Sequence, residues 1–146
     1  MKRVRIAAAL AALWVTGLPA GAADPSLKQV MGENFAGLQK ILNALIASRY
    51  ADIPAEVKLI HDHATQLTQM VPESARGDRD QFLTYAYNLR GHADDLSTIA
   101  QALSGPGEVK DPQAKNALRE AAAAHYGGMV TMCVACHNRF RPQGVK

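Results

Sequence analysis

The chain has 146 residues, 48% of them hydrophobic and 5% aromatic, with 16 Lys and Arg against 13 Asp and Glu. The bases are scattered among the acids and aromatics are few, so the chain offers no platform for stacking bases, which argues against a nucleic-acid function. Beyond the first residues no segment is apolar enough to span a bilayer, which argues against stable membrane insertion.

The N-terminus carries Lys2, Arg3 and Arg5 with no acid, then an apolar run from Ile6 to Ala20, then small residues at Ala20–Gly21–Ala22. That is the pattern of a secretory signal peptide, over residues 1–22, with cleavage after Ala22. The run is shorter than the roughly 20 apolar residues a spanning helix needs, and Pro19 and Gly21 close it. Three bases leave with the leader, so the mature chain, residues 23–146, balances 13 bases against 13 acids. It is expected to be one exported, soluble domain of ordinary size.

Four helical stretches follow, separated by breakers, with no convincing strand. The first is expected to open at Asp24–Pro25, a cap residue followed by proline, and to run to Tyr50. Leu27, Met31, Phe35, Leu38, Leu42 and Leu45 form one apolar seam along it, widened by Val30, Ile41 and Ile46. The second spans Pro54–Met70 with Val57, Ile60, Ala64, Leu67 and Met70 inward. The third spans Arg79–Leu103 with Phe82, Leu83, Tyr85, Ala86, Leu89, Leu96 and Ile99 inward, and Gly91 is a candidate kink. The fourth opens at Asp111–Pro112 and ends before Pro142. Four such helices with short loops predict an all-α fold, an antiparallel four-helix bundle. Small residues from Ala121 to Gly128 leave room beside the last helix, either for a close neighbour or for something large that is not protein.

The chemistry sits in "CVACHNRFR", residues 133–141, which holds both cysteines of the chain. Cys133, Cys136 and His137 read C-x-x-C-H, the signature of covalent c-type haem attachment. Two thiols at this spacing add across the two vinyl groups, and the next residue is held beneath the iron as the proximal ligand. On a helix Cys133 and His137 are four apart and share a face. A disulfide would close too short a loop to stabilise much. A thioredoxin-like pair needs a strand-to-helix turn, and none is visible. Zinc needs about four ligands; His61, His63, His92 and His125 are what remains, and adjacent Cys136 and His137 are poorly placed to chelate one ion together. His61 and His63 are two apart, so they diverge and are expected to meet solvent. His92 and His125 read as surface or partly buried side chains.

The leader, the four helices and the late C-x-x-C-H resemble the class II cytochromes c, the cytochrome c′/cytochrome c-556 family, over about residues 24–142. Family members typically carry an aromatic and then a basic residue after the motif, matching Phe140 and Arg141, and Tyr126–Gly127 is similar to an aromatic–glycine pair upstream of it. Val130 stands where many members have glycine, and Leu27 where many have an arginine near a propionate; Lys28 is the nearest base. The resemblance implies a distal position on the first helix, and Met31 falls within about one residue of it. Helical spacing alone makes Met31 a core methionine; as a ligand it would make the haem six-coordinate. Met70, Met129 and Met132 are placed less well. Arg141 is a candidate for a propionate or for the surroundings of the proximal imidazole.

What the resemblance then implies is a non-enzymatic, periplasmic one-electron carrier with one haem c on Cys133 and Cys136, ligated by His137 and Met31. Its partners would be other redox proteins in transient contact, with homodimerisation through the first two helices as one assembly state. The other branch of the family leaves iron five-coordinate to bind NO or CO.

Overall fold

The computed structural model describes residues 26–140. The expected leader at residues 1–22, the Asp24–Pro25 start and Arg141 lie outside the described residues. Within them stand four helices, α1 (Leu27–Ile46), α2 (Ile53–Leu67), α3 (Arg79–Ser104) and α4 (Pro112–Phe140), with short 3-10 turns at Tyr50–Asp52 and Glu73–Asp78 and no strand. No helix among the described residues is long and apolar enough to cross a membrane.

The ends of α1 differ from the sequence expectation for local reasons. Ser26 is the N-cap: its backbone is extended (φ −65°, ψ 150°) and its Oγ accepts from the Gln29 N–H at 3.2 Å. At the other end Ser48 takes φ 56°. The Ser48 N–H then donates to the Leu45 carbonyl at 3.1 Å and the Arg49 N–H to the Ala44 carbonyl at 2.8 Å. That pair of bonds is a Schellman stop, which satisfies carbonyls of the last turn. The helix ends at Ile46 rather than Tyr50 because a serine takes the left-handed position usually given to glycine.

The later helices follow their patterns closely. Pro54 sits in the first turn of α2, which ends at Leu67, so Met70 falls beyond it, half-buried. α3 runs through Gly91 as one helix. α4 opens as expected, with Asp111 Oδ2 accepting from the Ala114 N–H at 2.6 Å.

The helix contacts form a ring: α1 meets α2, α2 meets α3, α3 meets α4, and α4 meets α1. The buried side chains fall into two clusters. One holds Ile41, Ile53, Val57, Ile60, Leu96 and Met129; the other holds Val30, Leu67, Phe82, Ala86 and Phe140. Phe140 meets Phe82 and Tyr85 edge to face, at centroid distances of 5.6 and 6.2 Å. Arg139 Nε, beside it, donates to Asp78 Oδ2 at 2.6 Å. The end of α4 is thereby tied to the connection entering α3.

Candidate functional site

The two apolar clusters do not merge. Between them lies a cavity of about 480 Å³, walled by Leu38 and Leu89 from the first and by Leu67, Phe82 and Ala86 from the second. That volume is in the range of small-molecule and cofactor sites. Its α4 wall is Tyr126, Val130, Met132, Cys133, Val134, Cys136, His137 and Asn138; its α1 wall is Met31, Asn34, Phe35, Leu38 and Gln39. A second space of about 450 Å³ adjoins it, sharing Met31, Phe82, Cys136 and His137 and reaching Leu27, Pro72 and Phe140.

All four residues singled out from sequence for the cofactor and its metal within the described residues therefore face one space. Cys133, Cys136 and His137 come from α4, and Met31 comes across from α1, more than a hundred positions away in the chain. His137 is exposed; the half-buried cysteines pack against the two clusters, Cys133 on the first and Cys136 on the second, and also line the cavity between them. Met31 is half-buried. Burial pushes the Cys133 thiol above its usual range. Burial, and then the neighbouring Cys133, push Cys136 up to about 11. Burial first, then Cys133, also raises Tyr126, which stays a neutral phenol in the cavity wall.

The α1 seam needs correcting. The residues that bury against protein are Val30, Asn34, Gly37, Leu38, Ile41 and Ala44, whereas Phe35 is 63% exposed and Leu42 and Ile46 are exposed as well. Phe35 and Val134, both large and apolar, are among the most exposed such residues, and both line the cavity. A close pack of this kind normally covers its aromatic residues. Part of the apolar seam read from sequence is thus the cavity wall of α1, and the helix core face lies one step round from it.

His63 also departs from expectation. It is buried (5% exposed), with Nδ1 2.7 Å from Asn34 Oδ1 and Nε2 3.2 Å from Glu33 Oε2. Nothing in the hydrophobic pattern announces this pair. The signal available was that Asn34 and His63 both fall between apolar neighbours at helical spacing. His61 instead turns to α3, its Nδ1 2.7 Å from Asp94 Oδ1. His92 and His125 face each other across α3 and α4, with Nδ1 atoms 3.3 Å apart, on a partly buried seam away from the cavity. Met129 is fully buried in the first cluster; Met132 lines the cavity from the same helix as His137. Among the described residues no group of three or more His, Cys, Asp and Glu is arranged to hold a metal ion by itself.

No family model, no curated protein and no solved structure matches the chain.

Proposed function

We propose that this chain is a periplasmic c-type cytochrome of the class II kind, carrying one haem c on Cys133 and Cys136, with His137 as proximal and Met31 as distal ligand. The observation that carries the reading is the convergence of Met31, Cys133, Cys136 and His137 on one apolar cavity of about 480 Å³. The donor set fits the group: two neutral thiols three apart for thioether bonds, the adjoining imidazole, and a thioether from the opposite wall. The apolar walls fit a macrocycle, and the exposed Phe35 and Val134 are the surfaces it would cover. The ring of helix contacts and the short connections favour the antiparallel four-helix bundle.

Bound there, the haem supplies one-electron ferric/ferrous chemistry. The chain's own part is to hold and shield it. Cys133 and Cys136 would hold the group on α4, and the imidazole of the adjoining His137 would come into place with them. Met31 offers a neutral sulfur, which favours ferrous iron relative to a second imidazole and so raises the potential. His137 and Met31 would together hold the iron through side chains on both walls of the cavity, which would leave oxygen no place to bind. Phe82, Ala86, Leu67 and Leu89 exclude water and lower the local dielectric. Electron transfer to other redox proteins would proceed through small transient contacts. The balanced charge of the mature chain gives no strong long-range steering.

The test is to express the full chain in a periplasm with haem-attachment machinery and record ferric and ferrous spectra with and without CO. A low-spin ferric spectrum with a sulfur-to-iron charge-transfer band and little response to CO is expected. Met31→Ala is expected to convert it to a high-spin, CO-binding form. A high-spin parent that binds CO readily refutes Met31 ligation and leaves a five-coordinate NO/CO-binding protein. A colourless product refutes the haem reading itself.

A further inference from the structure

α1 has two inward faces, and a buried polar contact sits where they meet. At about 100° per residue, Val30, Gly37, Ile41 and Ala44 centre on one direction and Met31, Phe35 and Leu38 on another about 100° round the helix. The first face packs on protein and the second lines the cavity. Asn34 belongs to both, being 4% exposed and also part of the cavity wall. Its Oδ1 accepts from His63 Nδ1 at 2.7 Å, while Nε2 of the same ring lies 3.2 Å from Glu33 Oε2. One imidazole from α2 thus engages two consecutive residues of α1, on either side of Val30 in helical projection.

We propose that His63 is a positioning residue: through Asn34 and Glu33 it fixes the rotation of α1 about its own axis, and thereby the presentation of Met31 to the cavity. The inference rests on the haem reading above and deepens it. Apolar packing alone sets this rotation loosely, because both faces are apolar. A turn that buried more of Leu42, 41% exposed as the helix stands, would withdraw Val30 and Ile41, both fully buried, so the apolar areas gained and lost offset one another in part. The buried hydrogen bond is directional and opposes the turn, since Asn34 and His63 would each lose a partner out of reach of water. The required movement is small. A side chain at the 5–6 Å outer radius of a helix moves about 3 Å when the helix turns by about 30°. That exceeds a metal–sulfur bond, so a modest rotation unseats a ligand while the fold persists. α1 also meets α4 far less extensively than α3 does, so its rotation is set chiefly at its contact with α2, the helix that carries His63.

The test uses the haem-loaded full chain and three variants, read by the sulfur-to-iron charge-transfer band, the low-spin to high-spin ratio, CO affinity and thermal melting. His63→Phe keeps an aromatic ring but removes both nitrogens. It is expected to weaken the charge-transfer band, raise the high-spin fraction and tighten CO binding about tenfold, the scale of one lost buried hydrogen bond. His63→Gln, which can still donate to Asn34, is expected to keep the parent spectrum and CO affinity. Asn34→Leu with His63→Leu removes both partners together, which avoids an orphaned polar group, so this variant stays folded and is expected to lose the charge-transfer band while melting near the parent. If the double variant keeps a low-spin spectrum and the parent's CO affinity, the positioning role is refuted and the haem reading stands. A colourless or high-spin parent removes both the haem or ligand reading and this inference, and is seen before any variant is made.

Discussion

Gly128→Ala tests how closely α4 approaches α3. A Cβ on Gly128 would lie 2.6 Å from His92 Cε1 and Nε2 and 2.8 Å from Cδ2, distances no real methyl tolerates. The ring cannot swing away freely, because its other edge is held by His125 with Nδ1 atoms 3.3 Å apart. Alanine in a helix interior is worth about 1 kcal/mol more than glycine, while overpacking of this kind costs about 1–3 kcal/mol. Gly128→Ala should therefore come out between neutral and about 2 kcal/mol destabilising. Gly91→Ala supplies the reference, since a Cβ there meets nothing within 4 Å and the residue lies within α3. It should gain the full increment of about 1 kcal/mol. The two variants are compared by thermal melting of the haem-loaded chain, where the gap of about 1–3 kcal/mol corresponds to at least about 4 °C. In a His92→Ala background Gly128→Ala should instead gain the full increment of about 1 kcal/mol over His92→Ala alone, because the clash partner is gone. Equal rises in Tm for Gly91→Ala and Gly128→Ala would refute the contact.

Three further outcomes are expected. Ser48→Gly should stabilise by about 0.5–1 kcal/mol in chemical denaturation, since Ser48 stops α1 at φ 56°, where glycine avoids the left-handed cost. Phe140→Ala should cost about 3–5 kcal/mol, because the ring is buried among Phe82, Tyr85 and their neighbours; urea titration measures it. In the haem-free, reduced chain, Cys136 is pushed up to about 11, so its thiolate is scarce at pH 8. Its iodoacetamide rate there should fall well below that of the same thiol in urea, and should climb as pH rises through about 11. The same native and unfolded rates at pH 8 would contradict the burial that raises it.

The helices were legible because their punctuation is chemical. Asp111–Pro112 announces α4 through a side chain that accepts from Ala114 N–H and a ring that needs no donor. The end of α1 was not legible, because its stop depends on serine in a backbone region that sequence rules assign to glycine or asparagine. From sequence His63 is expected to meet solvent, because it stands two from His61 and the pair diverges on a helix. Its burial depends on Asn34 arriving from another helix, and a tertiary partner 29 residues away leaves no local trace.

The misreading of the α1 seam has a different origin, and it bears on the site. Periodicity reports which residues avoid water, not what covers them. Leu27, Met31, Phe35, Leu38, Leu42 and Leu45 repeat at helical spacing, yet the face that packs on protein is centred on Val30, Gly37, Ile41 and Ala44. Two apolar faces on one surface helix are more than its protein neighbours can cover, since α1 meets chiefly α2. α4 presents the complementary case. Only Ala122, Met129 and Phe140 are buried on it, while Tyr126, Val130, Cys133, Val134 and Cys136 look toward the same space as Met31 and Phe35. If the surplus on the two helices served only to pack protein, replacing Phe35 and Val134 by serine would act alike whether or not haem is attached. If it serves the cofactor, the double replacement should destabilise the haem-loaded chain by about 1.5–3 kcal/mol for each side chain that haem covers and leave the haem-free chain nearly unchanged, because both residues are already exposed without it. Urea titrations of the two forms decide it, and equal losses would mean that these apolar walls are not there for a porphyrin.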